Sequence, residues 1–381
     1  MWIKARRFKE TLDQLIVLRC DAFELSGHPF DHGVIDLMTQ VVKCGWRHRH
    51  QFPMVKTLTT SRVTVAASRP ASARKAVIFC CDQNYLLFAA HAAAQISALT
   101  LNPDFDICFC FCERPVVLPD SLAHLNVRSC KIDVGDRFKG LRLDKGKSHD
   151  VYLRLALPEA FAGEYDRILY LDSDVFIQGG DFNALLDLEF APYPIAAVRD
   201  NSQWRTPNRR PKQFKVLGLP TAKYFNAGVI LMDVARYNEQ DLLNRCVALG
   251  TENADRMIRH DQNLYNSVLL GAWAELHPTW NWQFTWSSRL FALQAEPNLV
   301  HFIGKTKPWN DPKAELSPRY ARAMWQFAKQ HFPEAKAFRT TDVPWAPDSA
   351  KTRKSLLKHL LSGGKFARLL RRFDHELYVI L

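Results

Sequence analysis

Ile168-Leu169-Tyr170-Leu171-Asp172-Ser173-Asp174 is the stretch on which the fold turns. Its four apolar residues read as a strand, and the strand stops on two carboxylates. Side chains alternate across a strand, so Asp172 and Asp174 point the same way. A pair so placed can hold Mg or Mn against a pyrophosphate. The motif alone is weak, because a D-x-D arises by chance about once in a chain of this size. Asp104-Phe105-Asp106 is such a decoy. What separates the two is setting. Asp104 follows Asn102-Pro103 and precedes its strand, whereas Asp172 ends one, at the edge where open α/β sheets place ligands. The plain alternative for Asp172 is a turn cap.

Working outward, the same alternation recurs. Ala76-Val77-Ile78-Phe79-Cys80-Cys81 reads as a buried strand stopped by Asp82, and Tyr85 to Leu99 runs apolar at helical spacing. Ile107 to Phe111 and Leu125 to Ile132 read as strands, and Tyr152 to Phe161 as a helix ended near Gly163. Ile195 to Val198, Val229 to Met232 and Leu299 to Ile303 add three strands. Strands alternating with helices predict an α/β domain with a mostly parallel central sheet. The expected division is an N-terminal extension over 1–70, one catalytic domain over 71–345, and a basic amphipathic tail over 346–381. Within the domain, the basic segment from Arg199 to Tyr224 reads as irregular, either a lid over a bound ligand or a solvated loop.

The bulk numbers exclude several classes. With 381 residues, 47% hydrophobic and 24% charged, the composition is that of a globular protein. No apolar run reaches the roughly 18 residues needed to cross a bilayer. The opening Met1 to Arg7 does not read as a secretory signal. Cys108, Cys110 and Cys112 alternate on one face of a strand and read as buried free thiols in a reducing compartment, not as a zinc site, whose ligands come as C-x2-C pairs on turns. The net charge of +12 sits largely in the N-terminal stretch, the Arg199 to Lys215 segment and the tail. It does not form a stripe with interleaved aromatics, which argues against nucleic acid. In the tail, Leu356-Leu357-Leu360-Leu361 and Phe366-Leu369-Leu370-Phe373 alternate with Lys354, Lys358, Lys365, Arg368, Arg371 and Arg372. The spacing predicts amphipathic helices hinged at Gly363-Gly364, packing on the domain or lying in an anionic membrane face.

No glycine-rich phosphate loop is present, so the phosphates of a ligand need another partner. His301 lies in an apolar strand, where a histidine is more often a core residue than a ligand. Its sequel Gly304, Lys307, Pro308, Trp309 changes that reading. A glycine admits a phosphate close to the backbone, and a lysine three residues on supplies a cation. An imidazole with two carboxylates suits Mn.

Taken together these residues resemble glycosyltransferase family 8, the retaining galactosyl- and glucosyltransferases that include bacterial lipopolysaccharide enzymes and glycogenin. The likeness spans roughly residues 76 to 310. It rests on Cys81-Asp82-Gln83-Asn84-Tyr85, Tyr152-Leu153-Arg154-Leu155, Leu169 to Asp174, Phe225-Asn226-Ala227-Gly228, Asp261-Gln262-Asn263, and His301-Phe302-Ile303-Gly304 running to Lys307-Pro308-Trp309. The resemblance implies a GT-A fold and a Mn or Mg ion held by Asp172, Asp174 and His301. It assigns Asp82, Asn84 and Tyr85 to the uracil and ribose of UDP, with Tyr85 as stacking face. Arg154 and Asn226-Ala227-Gly228 would grip the donor sugar and diphosphate, Gly304 and Lys307 the leaving phosphate, and Asp261 sugar hydroxyls. Gln262 falls beneath the anomeric carbon. An amide is a poor nucleophile, which favours front-face attack over double displacement. The chain departs from the family pattern at Cys80 and Cys81, where alanine is common, and in its long N-terminal stretch.

The expected partners are a UDP-hexose donor and a glycan or glycolipid acceptor, in a cytoplasmic chain whose tail is a candidate for peripheral contact with the inner membrane face. Trp280, Trp282 and Trp286 could stack on an acceptor sugar or simply fill the core. The rival readings are a metal-dependent phosphoesterase or nucleotidyltransferase, for which a carboxylate pair with histidine also suits, and a catalytically degenerate relative.

Overall fold

The structure, a computed structural model, describes residues 63–144, 149–258, 260–285, 288–340 and 350–381. The expectations for residues 1–62 and for Trp286 lie outside the described residues.

Apolar runs that cannot be solvated on either side become the middle of a sheet. In chain order the strands of the two larger sheets are β1 (Thr64–Ala67), β2 (Lys75–Cys80), β3 (Asp106–Phe111), β4 (Arg128–Asp133), β5 (Arg167–Leu171), β6 (Val175–Ile177), β7 (Ile195–Arg199), β8 (Phe225–Asp233), β9 (Ala274–Glu275), β10 (Trp282–Gln283) and β11 (Leu299–His301). Eight of them form one sheet in the order β1-β4-β3-β2-β5-β8-β7-β9. The run from β4 to β5 is parallel, β8 is antiparallel to both neighbours, and β9 returns parallel to β7. The result is the mostly parallel α/β sheet that the sequence predicts. β1 pairs antiparallel with β4, so residues assigned to the N-terminal extension supply an edge strand of this sheet.

Period-two alternation sends each strand's side chains to opposite layers. Val77, Phe79, Leu169 and Leu171 join helix α1 (Leu86–Leu99) through Leu86, Ala89, Ala93 and Ile96. Ile78, Ile168 and Tyr170 face the other way, onto helix α2 (Leu153–Ala160) and helix α3 (Asp261–Leu269). Cys108, Cys110 and Cys130 lie in that second layer as free thiols. The strand expected over Leu125 to Ile132 begins only at Arg128, because Asp120–Leu125 closes into a 3-10 turn.

Three strands form a second, smaller sheet in the order β10-β11-β6. It sets the position of the carboxylate pair. The chain leaves the large sheet at Leu171, runs through Asp172-Ser173-Asp174, and enters the small one at Val175, which pairs with His301. The D-x-D motif is therefore the joint between two sheets, and the register delivers the histidine beside it.

The segment from Arg199 to Tyr224 is more ordered than its sequence suggested. It contains a short helix, Lys212–Leu217. Buried Gln203 ties its ends by donating to Arg209 O and Ala222 O, and Trp204 donates to Arg199 O. The tail also differs from expectation. It forms one helix, α4 (Ala350–Leu370), continuous through Gly363-Gly364 rather than two halves about a hinge. Its Phe366 stacks on Phe291 at 4.1 Å and lies edge-on to Trp204. Beyond it, Arg372 reaches buried Glu275, which Arg199 also binds, and Ile380 bridges to Glu275.

Candidate active site

Asp172, Asp174 and His301 each offer an oxygen or nitrogen within 4.8 Å of one another. His301 Nε2 stands 3.2 Å from Asp174 Oδ1 and 3.6 Å from Asp172 Oδ2. Asp172 is held from the main sheet, its backbone N–H donating to Gly228 O at 2.8 Å. Asp174 is tied to the small sheet, its carbonyl accepting from Phe302 N. Gly228 opens the space between them. A Cβ there would meet His301 Cε1 at 2.1 Å and Asp172 Oδ2 at 2.7 Å. The set is two hard oxygens and one imidazole nitrogen in a cradle that only glycine leaves open, and it suits Mn or Mg.

The charges around these ligands are paired. Lys307 Nζ contacts Asp174 Oδ2 and Phe302 O. Burial would raise the Asp174 carboxyl, but His301 and Lys307 outweigh it and hold it well below the usual range. Arg154 forms ion pairs with Asp172 Oδ1 at 2.9 Å and Asp261 Oδ2 at 3.0 Å, donates to Ala227 O at 2.7 Å, and its guanidinium lies over the Tyr170 ring. Burial disfavours the charged form of Arg154, yet Asp172 and Asp261 keep it firmly protonated. For Asp261 the balance goes the other way: burial pushes its carboxyl up, and Arg154 only partly offsets this.

The remaining expected residues fall into two groups. Gly228 adjoins Asp172 and His301, and Asn226, Ala227 and Gln262 are tied together beside it, since Gln262 Oε1 accepts from Asn226 Nδ2 and from Ala227 N. Asp82, Asn84 and Tyr85 form the rim at the start of α1. There Asp82 caps the turn by accepting from the backbone N–H groups of Asn84 and Tyr85 and from Asn84 Nδ2. Tyr85 is 44% exposed. Burial, then the charges of Asp174, Asp82 and Asp172, raise its phenol. Gly304 is exposed, and a Cβ on it would meet only Thr306 N at 3.9 Å. Its face is thus open to a ligand.

Four residues of the site were not read from the sequence. Asp200 ends β7 at the same sheet edge as Asp172 and accepts from Gln262 Nε2 at 3.3 Å. The apolar run Ile195 to Val198 leading to a carboxylate was a signal that could have found it. Tyr170 donates its hydroxyl to Asp172 Oδ1, Asn281 contacts His301 Nδ1, and Gln283 pairs in register with His301. These three sit in or beside apolar runs, where nothing local marks them. The decoy Asp106 lies at the start of β3, buried under Ser72, Arg69 and Tyr165, and serves as a structural anchor. Trp280 and Trp282 are wholly buried against Phe182, Trp204 and Phe366, so they are core rather than a sugar platform.

The model of the family described as Glycosyl transferase family 8 matches residues 76–313. The chain belongs to that family. It is therefore a glycosyltransferase, of the hexosyl-transferring class. Among curated proteins it is similar to General stress protein A of Bacillus subtilis, 31% identical over 267 residues, which are 61% of this chain and 87% of that one. It is also 30% identical to the lipopolysaccharide 1,3-galactosyltransferase of Salmonella typhimurium over 182 residues. That match takes in 46% of this chain and spans about half, 53%, of the relative. Among solved structures it superposes on the galactosyltransferase LgtC, crystallised with donor and acceptor sugar analogues, with a TM-score of 0.53. The superposition covers 68% of this chain and 96% of LgtC at 21% identity, a likeness of fold.

Proposed function

We propose that this family 8 chain transfers galactose or glucose from a UDP-hexose to a hydroxyl of a glycan or glycolipid, with retention at the anomeric carbon. The observation that carries the reading is the convergence of Asp172, Asp174 and His301 at the joint of the two sheets, with Arg154 and Lys307 as flanking cations. These three ligands would hold Mn or Mg. The ion when bound would offset the charge that develops on the departing diphosphate.

The protein's own part is to bind and orient. Asp82, Asn84 and Tyr85 on the rim would seat the nucleoside. Asn226, Ala227, Gly228 and Asp261 would face the sugar and diphosphate. Gln262 has its amide oxygen engaged by Asn226 and Ala227 and its amide nitrogen by Asp200. Held so, it is a polar floor beneath the anomeric carbon and a poor nucleophile. The reaction that fits breaks the bond from anomeric carbon to phosphate oxygen and forms the acceptor bond on the same face. The acceptor's proton passes to the departing phosphate. Lys307, freed from Asp174, and Gly304 would meet that phosphate.

The tail supports contact between a cytoplasmic enzyme and an anionic membrane surface, where a glycolipid acceptor would lie. One side of α4 is buried through Ser355, His359, Ser362, Phe366 and Leu369. The other exposes Leu356, Leu357, Leu360 and Leu361 at 45, 57, 81 and 75%, among exposed Arg353, Lys354, Lys358, Lys365 and Arg368. Exposed leucines ringed by cations are what an in-plane anchor presents. Among the described residues no helix is long and apolar enough to cross a membrane.

The test of the catalytic reading is calorimetric titration of UDP with Mn present, then with chelator, in the wild type and in Asp174→Asn. Metal-dependent binding lost in the variant, with an unchanged melting curve, supports it. UDP binding indifferent to both metal and substitution overturns it.

A further inference from the structure

The geometry points to Asn281 as the positioning residue that fixes the tautomer of His301 and links the metal seat to the amides around the donor sugar. This rests on the reading of Asp172, Asp174 and His301 as metal ligands, and deepens it.

Two groups near His301 have a polarity that leaves no choice, a backbone N–H and a carboxylate. The backbone N–H of Gly228 can only donate, and it donates to the Asn226 side chain at 3.1 Å, so that atom is the amide oxygen. The same oxygen lies 2.9 Å from the Asn281 amide, which must therefore present its nitrogen there. Its oxygen is left to face His301 Nδ1, at 3.0 Å. An amide oxygen cannot donate, so the proton belongs to His301 Nδ1.

A second anchor at the far end agrees. The Asp200 carboxylate can only accept, so Gln262 turns its nitrogen to it. The Gln262 oxygen then receives the Asn226 nitrogen and the backbone N–H of Ala227. From Asp200 through Gln262, Asn226 and Asn281 to His301, every hydrogen bond runs one way. Reversing any amide would set two oxygens or two nitrogens against each other.

With the proton of Nδ1 held by Asn281, it is the Nε2 proton that gives way to a cation and leaves the Nε2 lone pair as the ligand. It points at Asp174 Oδ1 and Asp172 Oδ2, 3.2 and 3.6 Å away. A lone pair converging with two carboxylate oxygens is stable only around a cation. Asn281 thus makes His301 a ligand instead of a second donor to Asp174. It is wholly buried, as is His301, so no water substitutes for its oxygen. Partners of this kind contribute roughly 10- to 100-fold to metal affinity.

Two variants divide the roles. Asn281→Leu fills the space and removes the acceptor. Mn affinity should fall 10- to 100-fold, measured by titration under conditions where the melting temperature shows a folded protein. Asn281→Asp keeps an acceptor for Nδ1–H but sets an oxygen against Asn226 Oδ1, so it should retain clearly more Mn affinity than Asn281→Leu while losing the bond to Asn226. Equal loss of Mn affinity in both would make Asn281 ordinary packing and overturn the proposal. The tautomer is read directly by nitrogen-15 NMR of His301 in the Mg-loaded wild type, where a proton on Nδ1 is expected and one on Nε2 refutes the network. Should the wild type bind no Mn at all, the metal-ligand reading fails, and the same spectrum of the metal-free protein still tests for the proton on Nδ1, whose absence refutes the network.

Discussion

Gly228→Ala should leave the fold intact and take the proposed metal seat apart. Gly228 lies in the interior of β8 on extended backbone, where alanine is intrinsically the better residue by about 0.5–1 kcal/mol. The added methyl is the difficulty. It would stand 2.1 Å from His301 Cε1, 1.3 Å short of the 3.4 Å at which ordinary contact begins, and 2.7 Å from Asp172 Oδ2. Neither neighbour can yield freely. His301 is buried, paired in β11 and bonded to Asn281, and Asp172 is held by Tyr170 and Arg154. Metal–ligand distances tolerate only about 0.2 Å, so a shift of 1 Å removes a ligand rather than weakening it. The expected loss in Mn affinity is at least about 100-fold, near 2.7 kcal/mol. Calorimetry with Mn measures it, and circular dichroism and thermal melting confirm the sheet. Mn affinity within threefold of wild type would refute the reasoning, since it would show that the two ligands relax around a side chain without cost.

Two further outcomes follow from the same geometry. Glu275 is buried, and burial alone would raise its carboxyl, but hydrogen bonds from Arg372 and Arg199 hold it below its ordinary 4.5. A carboxyl lowered in the folded state contributes stability that is full above about pH 4.5 and is lost as the pH falls below it. Glu275→Gln should thus melt well below wild type at pH 7, with the gap closing below pH 4; a gap that does not change with pH would contradict the pairing. In the tail, Leu360→Asp with Leu361→Asp alters only the exposed side of α4. Sedimentation with vesicles containing phosphatidylserine should fall several-fold while UDP binding and melting temperature stay unchanged, and undiminished vesicle binding would remove the membrane role.

Much of the site was legible in local patterns because each carried its own periodicity. An apolar strand that halts on Asp172-Ser173-Asp174 announces a sheet edge and a carboxylate pair without any tertiary knowledge. The decoy at Asp104 was separated from it on sequence position alone, and Asp106 is indeed a buried anchor. The tail was legible in composition but not in orientation. Helical spacing showed cations mixed with two apolar clusters, yet which cluster turns inward depended on where Phe291, Trp204 and Trp282 stood. They take Phe366, and so leave the leucines of the first cluster outside.

The chain by itself determined the layers of the domain, the strand that carries the two aspartates, and the residue types available as ligands, because these follow from period two and period 3.6 over a few residues. Tertiary structure alone decided that the aspartates sit at the joint of two sheets, that the Val175–His301 register brings the imidazole to them, and that Gly228 makes room for both. It also decided the direction of the hydrogen bonds from Asp200 to His301, whose members lie up to 101 positions apart. Polarity in such a network is imposed by a backbone N–H and a carboxylate at its ends, and no local pattern records which amides they will meet.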